Sequence, residues 1–166
     1  ESHQKAAAAY ARGFYADLVM PFRELSVDNI LRADTNLAKL ASLKPAFDKR
    51  SGKGTLTAGN STNLSDGASV ALLSSEQWAQ DNNKEIQAYL VDAQVAAVDF
   101  VAGEGLLMAP AWAVAQLLKR NNLKLQDFDF YEIHEAFAAQ VLCTLKAWES
   151  DEFCKTKLGM DGALGS

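Results

Sequence analysis

The chain has 166 residues, 49% of them hydrophobic and 22% charged, with a net charge of −5 and an isoelectric point near 5.0. That is enough length for one domain, or a domain with an appended lobe, and enough apolar content for a globular core. The acidity argues against general nucleic-acid binding, which draws on a basic surface, but leaves room for an anionic small ligand held by local loops.

Residues 2–18 read as a helix, because Ala6, Ala9, Tyr10, Phe14 and Leu18 recur at helical spacing among good helix formers. Pro21 and Phe22 break to an extended segment. A short helix over Asp34–Ala41 follows, with Asp34 as its expected cap, and Lys44-Pro45 ends it. Lys49–Lys53 is a basic, glycine-containing loop. Thr55–Thr57 reads as a short strand and Ala58–Ser65 as a polar turn. Ser65 or Asp66 is expected to cap a helix reaching Ala79, with Ala71, Leu72 and Trp78 inward. Ile86–Phe100, rich in Val and Ala, reads as one or two strands.

Pro110 opens a helix through Lys119, as proline does in a first turn, and Asn121-Asn122 closes it. Phe128–Ile133 reads as a strand. Glu135–Trp148 is expected to be helical, with Phe137, Val141, Leu145 and Trp148 near one face. The tail, Gly159–Ser166, is glycine-rich. Helices alternating with strands make the class α/β, with no internal repeat.

Cys143 and Cys154 have no CxxC partner and no metal-type spacing with His3 or His134, so no metal site is expected, and a reducing compartment suits them. No run of eighteen apolar residues predicts a transmembrane helix, and no signal peptide is visible. The start at Glu1 rather than Met suggests an N-terminus further upstream. Asn60-Ser61-Thr62 and Asn63-Leu64-Ser65 match the glycosylation sequon, a short pattern common by chance.

Two stretches can carry chemistry. Gly54–Thr62, followed by Asp66-Gly67-Ala68, is a strand, tight loop and helix start, which presents backbone N–H groups and small hydroxyls to a polar or anionic ligand. It has neither P-loop nor GxGxxG order, and on the residues alone an ordinary capped turn is the simpler reading. In Tyr131–Ala138, His134 stands where a strand meets a helix, a common place for active sites in α/β folds. Its imidazole can hold a water or polarise a carbonyl. Here too the simpler reading is a hydrogen-bonded histidine at a helix start. Glu135 is expected in the helix's first turn, favoured by the dipole there.

Together these stretches resemble the thiolase family. Gly54–Ala68 is similar to its GTVTAGNxSxxxDGA segment, and His134–Phe137 to its NEAF motif in the His-first form of thiolases akin to the trifunctional-enzyme β-subunit. Leu43–Phe47 resembles the LxPAF segment, and Ser2–Ala6 the helix leading into the loop domain. The match runs in family order from Ser2 to about Cys143. The resemblance implies a partial thiolase-like fold. Residues 1–53 would end the loop domain, and 54–166 would begin the C-terminal α/β half, truncated.

It also implies an activity: acyl transfer between coenzyme A thioesters through a cysteine nucleophile, with coenzyme A or acyl-CoA as substrate and no covalently bound cofactor. A second cysteine exchanges the proton, and the histidine of a GHP motif stabilises the thioester oxygen. His134 would take the motif's asparagine position and hold a catalytic water in an oxyanion hole. Phe137 would line the acyl pocket, Ala58, Gly59 and Thr62 would contact the pantetheine arm, and Leu43 and Phe47 would pack near it. Thr62 replaces the usual serine. Glu135 would be structural.

The nucleophile, the GHP histidine and the second cysteine are expected in sequence outside this chain, so the chain alone is expected to be inactive. Neither Cys143 nor Cys154 is expected to replace them, Cys143 being read as buried helical packing. The loop over Asp48–Lys53 is longer than in simpler acetoacetyl-CoA thiolases. Its Lys49, Arg50 and Lys53 either face coenzyme A phosphates or are a solvated charge run. The intact protein is expected to be a homo-oligomer, dimer or tetramer. It is expected in bacterial cytoplasm, with mitochondrion and peroxisome left open. Two other readings are a non-catalytic thiolase-like module for CoA or lipid binding or assembly, and an unrelated α/β domain.

Overall fold

Alanine-rich Ser2–Ala11 forms α1. The computed structural model describes residues 1–165, and in it this helix stops seven residues short of the expected Leu18. Gly13, at φ +74°, takes a left-handed turn that a helix cannot continue through. Tyr10 and Tyr15 then pack with their rings tilted by 43° and centroids 4.6 Å apart. Segment 28–32 is tied back to α1: the Asp28 amide donates to the Tyr10 hydroxyl at 3.4 Å and the Arg32 amide to His3 Nδ1 at 3.2 Å.

A second helix, α2, spans Leu37–Ala41. Its cap is Asn36, not Asp34: Asn36 Oδ1 accepts from the Lys39 amide at 2.9 Å. Asp34 instead meets Lys39 Nζ at 2.5 Å, and that hydrogen-bonded ammonium holds its carboxyl below the ordinary range. Beyond α2 the chain doubles back on itself. Pro45 bridges Thr57, and the Ala46 amide donates to the Leu56 carbonyl at 2.7 Å.

The chain divides into two compact units, Glu1–Asn63 and from Leu64 onward. In the second unit, α3 covers Glu76–Asp81. The helix expected from Ser65 or Asp66 starts ten residues late, at the Ser75 cap, whose hydroxyl accepts from the Trp78 amide at 3.2 Å. Leu64, Val70, Leu72 and Leu73 are exposed. An apolar stripe with nothing to bury against adds little to a short helix that is marginal by itself.

Helix α4 is Ala109–Asn121, with Pro110 in its first turn and Asn122 in the left-handed conformation (φ +53°) at its end. Helix α5 is Ala138–Glu149, and a helix the sequence reading missed, α6, is Asp151–Thr156, capped by Ser150. The core gathers Ala111 and Leu118 of α4, Leu125 of a 3₁₀ turn, and Trp148 of α5. Trp148 Nε1 donates to the Ala111 carbonyl at 3.3 Å, which satisfies the indole N–H in a buried place. The glycine-rich tail returns to this core, where the Leu164 amide donates to the Trp148 carbonyl at 2.8 Å. Ser166, the last residue of that tail, lies outside the described residues.

The expected strands run extended without forming ladders. Thr55–Thr57 has only bridge-length pairing, and segments 86–100 and 128–133 lie alongside no strand among the described residues. A strand's backbone groups need a neighbour at ladder spacing, and sequence pattern alone cannot supply one. The strand period is nonetheless present. Asp92, Gln94, Ala96 and Val98 turn inward while Val91, Ala93, Val95 and Ala97 are exposed. Arg120 of α4 grips this segment with all three guanidinium nitrogens, reaching Asp92 Oδ2, Gln94 Oε1 and the Ala93 carbonyl.

Candidate functional site

In the first unit, Leu43, Phe47, Ala58, Gly59 and Thr62 lie on or beside one hairpin, 44–57. Its far turn is built around Asn60. That side chain accepts from the Thr57 amide at 2.7 Å and donates to the Thr55 carbonyl at 3.0 Å. Thr57 Oγ1 accepts from the Gly59 amide at 3.1 Å. With both ends of its amide engaged inside the turn, Asn60 is a structural residue rather than a presented sequon.

Leu40 of α2 and Leu43 crowd against the Gly59 backbone, where a side chain would displace them. A Cβ on Gly59 would stand 2.6 Å from Leu40 Cδ2 and 2.7 Å from Leu43 Cδ1. Leu43 and Phe47 remain 40% and 51% exposed, so this turn offers apolar side chains beside bare backbone. That combination suits a long, weakly polar ligand arm. The Thr62 hydroxyl has only a long 3.5 Å contact to the Asn63 carbonyl.

In the second unit, His134 sits on the extended run just before α5. It lines a cavity of about 460 Å³ between α4 and α5. Leu106, Pro110, Val114, Val141 and Trp148 make most of the wall, and Glu132, His134, Gln140 and Thr144 supply the polar atoms. Gln140 Nε2 donates to Thr144 Oγ1 at 3.1 Å, so one polar pair of the lining is already satisfied. An exposed imidazole on a mostly apolar cavity can position one water or one carbonyl. Among the described residues no group of three His, Cys, Asp or Glu side chains is arranged to hold a metal.

The chain matches two family profiles, described as "Thiolase, N-terminal domain" over residues 1–77 and "Thiolase, C-terminal domain" over 84–165. The chain belongs to the thiolase family. It is 42% identical over 170 residues to the 3-ketoacyl-CoA thiolase of Serratia proteamaculans, covering 99% of this chain and 38% of the relative. A probable 3-ketoacyl-CoA thiolase of Caenorhabditis elegans is also 42% identical, with 99% and 37% covered. The chain therefore spans little more than a third of the length of these relatives.

Among solved structures, the Acat5 thiolase of Ascaris suum, crystallised with coenzyme A, superposes with a TM-score of 0.74 at 29% identity. That match covers 99% of this chain and 42% of the other. The fold is thus thiolase-like and partial.

Several site expectations change in detail. Helix α5 begins at Ala138 with Phe137 as its extended N-cap residue, so Glu135 precedes the helix and lies outside its first turn. The helix starts late because Phe137 holds extended angles, φ −141° and ψ 132°. Phe137 is half-buried and is not among the residues lining the cavity that His134 faces. Cys143, expected to be buried, is exposed on α5, whereas Cys154 is wholly buried. The Cys154 thiol lies 3.4 Å from the Trp148 carbonyl, as α6 folds it under α5. The Gln140–Thr144 pair was missed. Its signal, two polar residues one helical turn apart on the inward side of α5, was present in the sequence. Among the described residues no helix is long and apolar enough to cross a membrane.

Proposed function

We propose that this chain is part of an acyl-CoA acyltransferase, moving an acyl group between a cysteine thiol and coenzyme A. The direction is thiolytic cleavage of a 3-ketoacyl-CoA or Claisen condensation of acetyl-CoA. The reading is carried by backbone agreement, at a TM-score of 0.74 over 99% of the chain, with a thiolase crystallised with coenzyme A.

In this reading residues 1–53 close the loop domain and 54–166 open the C-terminal half. Ala58, Gly59 and Thr62, with Leu43 and Phe47, form a wall for the pantetheine arm. The close approach at Gly59 and the exposed Leu43 and Phe47 support this. His134 holds the water that hydrogen-bonds the developing oxyanion, and its place on the lining of a mostly apolar cavity supports this. Phe137 is assigned to the acyl end by its place in the motif, although it stands off the lining of the cavity that His134 faces. The nucleophilic cysteine, the second cysteine and the GHP histidine belong to the rest of the protein, and coenzyme A is substrate rather than resident cofactor.

The working form is a homo-oligomer. Exposed Phe14, Leu18, Met20 and Phe22 call for cover, by the rest of the protein or by a second subunit. The compartment is a reducing one, the bacterial cytoplasm first. Both cysteines being free supports a reducing compartment, and relatives at 42% identity come from a bacterium and a worm alike, so mitochondrion and peroxisome stay beside the cytoplasm.

The test is thiolysis of acetoacetyl-CoA by the full-length protein and its His134→Ala variant. Loss of a water-holding oxyanion donor should lower kcat roughly 10²–10³-fold. Unchanged turnover would remove His134 from the mechanism. Turnover by the 166-residue chain alone would overturn the assignment of the covalent step to other parts of the protein. A full-length protein that binds coenzyme A without turnover would leave a non-catalytic CoA-binding module.

A further inference from the structure

We propose that His3 is a positioning residue for the Gly59 turn, and that its neutral imidazole is a proton-sensitive latch on segment 28–32. The link from that turn to coenzyme A rests on the acyl-transfer reading; the latch itself does not.

The first observation is a bond between distant parts of the first unit. Half-buried His3 of α1 accepts the Arg32 amide on Nδ1 at 3.2 Å, across 29 positions of chain. Only an imidazole that carries its proton on Nε2 can accept there. A second proton, on Nδ1, would set donor against donor and break the contact. Histidine is the side chain that makes this change across physiological pH.

The second observation is that the latched segment holds its own shape. Arg32 Nη1 donates to the carbonyls of Asn29, Ile30 and Leu31 at 3.0, 3.0 and 3.2 Å, and Asp28 Oδ1 accepts from the Ile30 amide at 2.8 Å. Segment 28–32 is therefore a hook that docks or leaves as one piece. Besides His3, the Tyr10 hydroxyl ties it to α1, through the long 3.4 Å bond from the Asp28 amide. The charged groups on the elements that meet at His3 are engaged elsewhere. Glu1 pairs with Lys5 at 2.5 Å, Asp28 and Arg32 serve the hook, and Asp34 meets Lys39 at 2.5 Å. His3 joins none of the ion pairs among the described residues, so its charge state acts through the hydrogen bond to Arg32.

The third observation is a taut connection from the hook to the Gly59 turn. Four residues separate Arg32 from α2. Within them the Thr35 amide donates to the Arg32 carbonyl at 3.2 Å, Asn36 caps α2, and Asp34 is paired with Lys39 of α2. Leu40 of α2 in turn lies against Gly59, where a Cβ would stand 2.6 Å from its Cδ2. Docking of the hook at His3 thus sets where α2 places Leu40 on the turn that carries Ala58, Gly59 and Thr62. Protonation of His3 frees the hook and loosens that placement.

The experiment uses the full-length protein, its His3→Ala variant, and His3→Asn, whose Oδ1 keeps an acceptor near the place of Nδ1 and does not titrate. Hydrogen exchange reads the latch. Protection of the Arg32 amide should fall roughly tenfold between about pH 8 and about pH 5.5 in wild type, stay high in His3→Asn, and be low at both pH values in His3→Ala. KM for coenzyme A in thiolysis of acetoacetyl-CoA reads the positioning. The ratio of wild-type to His3→Asn KM cancels titrations elsewhere in the protein. It should be close to unity at about pH 8 and rise roughly fivefold at about pH 5.5, the scale of one lost hydrogen bond, with the kcat ratio flat. Arg32 protection that ignores pH in wild type, or that falls equally in His3→Asn, overturns the latch. Protection that follows pH beside a flat KM ratio overturns the positioning role. A full-length protein that turns over no acyl-CoA removes the acyl-transfer reading, while the exchange measurement still decides the latch.

Discussion

Gly54 lies so close to Phe47 that a Cβ at residue 54 would stand 2.5 Å from the Phe47 carbonyl oxygen and 2.8 Å from that of Asp48. A Cβ at Gly59, at the other end of the same segment, would clash with the terminal methyls of Leu40 and Leu43 and touch Thr57 Oγ1 at an ordinary 3.6 Å. Backbone carbonyls cannot swing aside, whereas leucine methyls can change rotamer. Gly54→Ala should therefore destabilise the chain by about 2–3 kcal/mol and Gly59→Ala by about 1 kcal/mol. Urea unfolding of the two variants checks the order, and an equal or reversed ranking would show that the hairpin strands are not this closely opposed. If the hairpin forms the pantetheine wall, Gly59→Ala should also raise KM for coenzyme A in the full-length protein, because the displaced leucines move into the ligand's space.

Asp92 should make the chain acid-sensitive. Its carboxylate accepts from Asn121 Nδ2 at 2.5 Å and from Arg120 at 2.8–2.9 Å, and these two partners hold its pKa below the ordinary carboxylate value. A group depressed on folding contributes stability above its unfolded pKa, roughly 3.9 for aspartate, and loses it as pH falls through the lower folded value. Thermal unfolding followed from pH 5 downward should thus show Tm dropping below about pH 4. Asp92→Asn should start from a lower Tm at pH 6 and show a flatter acid limb. A variant with the same acid limb as wild type would assign the sensitivity to other carboxylates, Asp34 and Asp151 first, since both are likewise held down by lysine partners.

Trp148 ties the second unit together through two different groups. Its indole packs among Ala111, Leu118 and Leu125, and its carbonyl receives the returning tail at Leu164. Trp148→Ala should cost about 3–5 kcal/mol through the cavity left behind. Trp148→Phe keeps most of the packing and the backbone carbonyl but loses the Nε1 bond to Ala111, so about 1 kcal/mol is expected. Hydrogen exchange at the Leu164 amide distinguishes the two contributions. It should stay protected in the Phe variant and become labile in the Ala variant.

What the sequence revealed, and what it hid, divides along one physical line. Helices α4 and α5 were legible because their caps and apolar periodicity are local: Pro110, Asn122 and the Val141–Leu145–Trp148 stripe announce themselves within a few residues. Strand pairing was not legible in the same way. The Val–Ala run at 91–98 alternates as a strand should, yet a ladder depends on another segment lying alongside. Nor could sequence show that Cys143 faces out and Cys154 in, since α6 and its Ser150 cap determine that and were not foreseen. The Arg120 clamp on Asp92 joins residues 28 apart, a separation no local pattern encodes.

The two cysteines should separate cleanly by reactivity. Cys143 is exposed on α5, whereas Cys154 is 0% exposed, with its thiol directed at the Ala147 and Trp148 carbonyls. A thiol reagent at neutral pH should label Cys143 within minutes and reach Cys154 only when the α5–α6 packing opens, so that the second reaction tracks unfolding. Mass spectrometry of the native and urea-unfolded chain reads both sites at once, and rapid native labelling of Cys154 would contradict the packing of α6. The functional consequence follows from position. Cys143 does not line the cavity that His134 faces, and Cys154 is sealed in the core. Neither can deliver a thiolate to an acyl group there. Alkylating Cys143 in the full-length protein, or replacing it with serine, should leave thiolysis within about twofold of wild type, a change of ~0.4 kcal/mol in the barrier. A loss of a hundredfold or more would identify Cys143 as a participant in the acyl transfer and move part of the covalent chemistry into this chain.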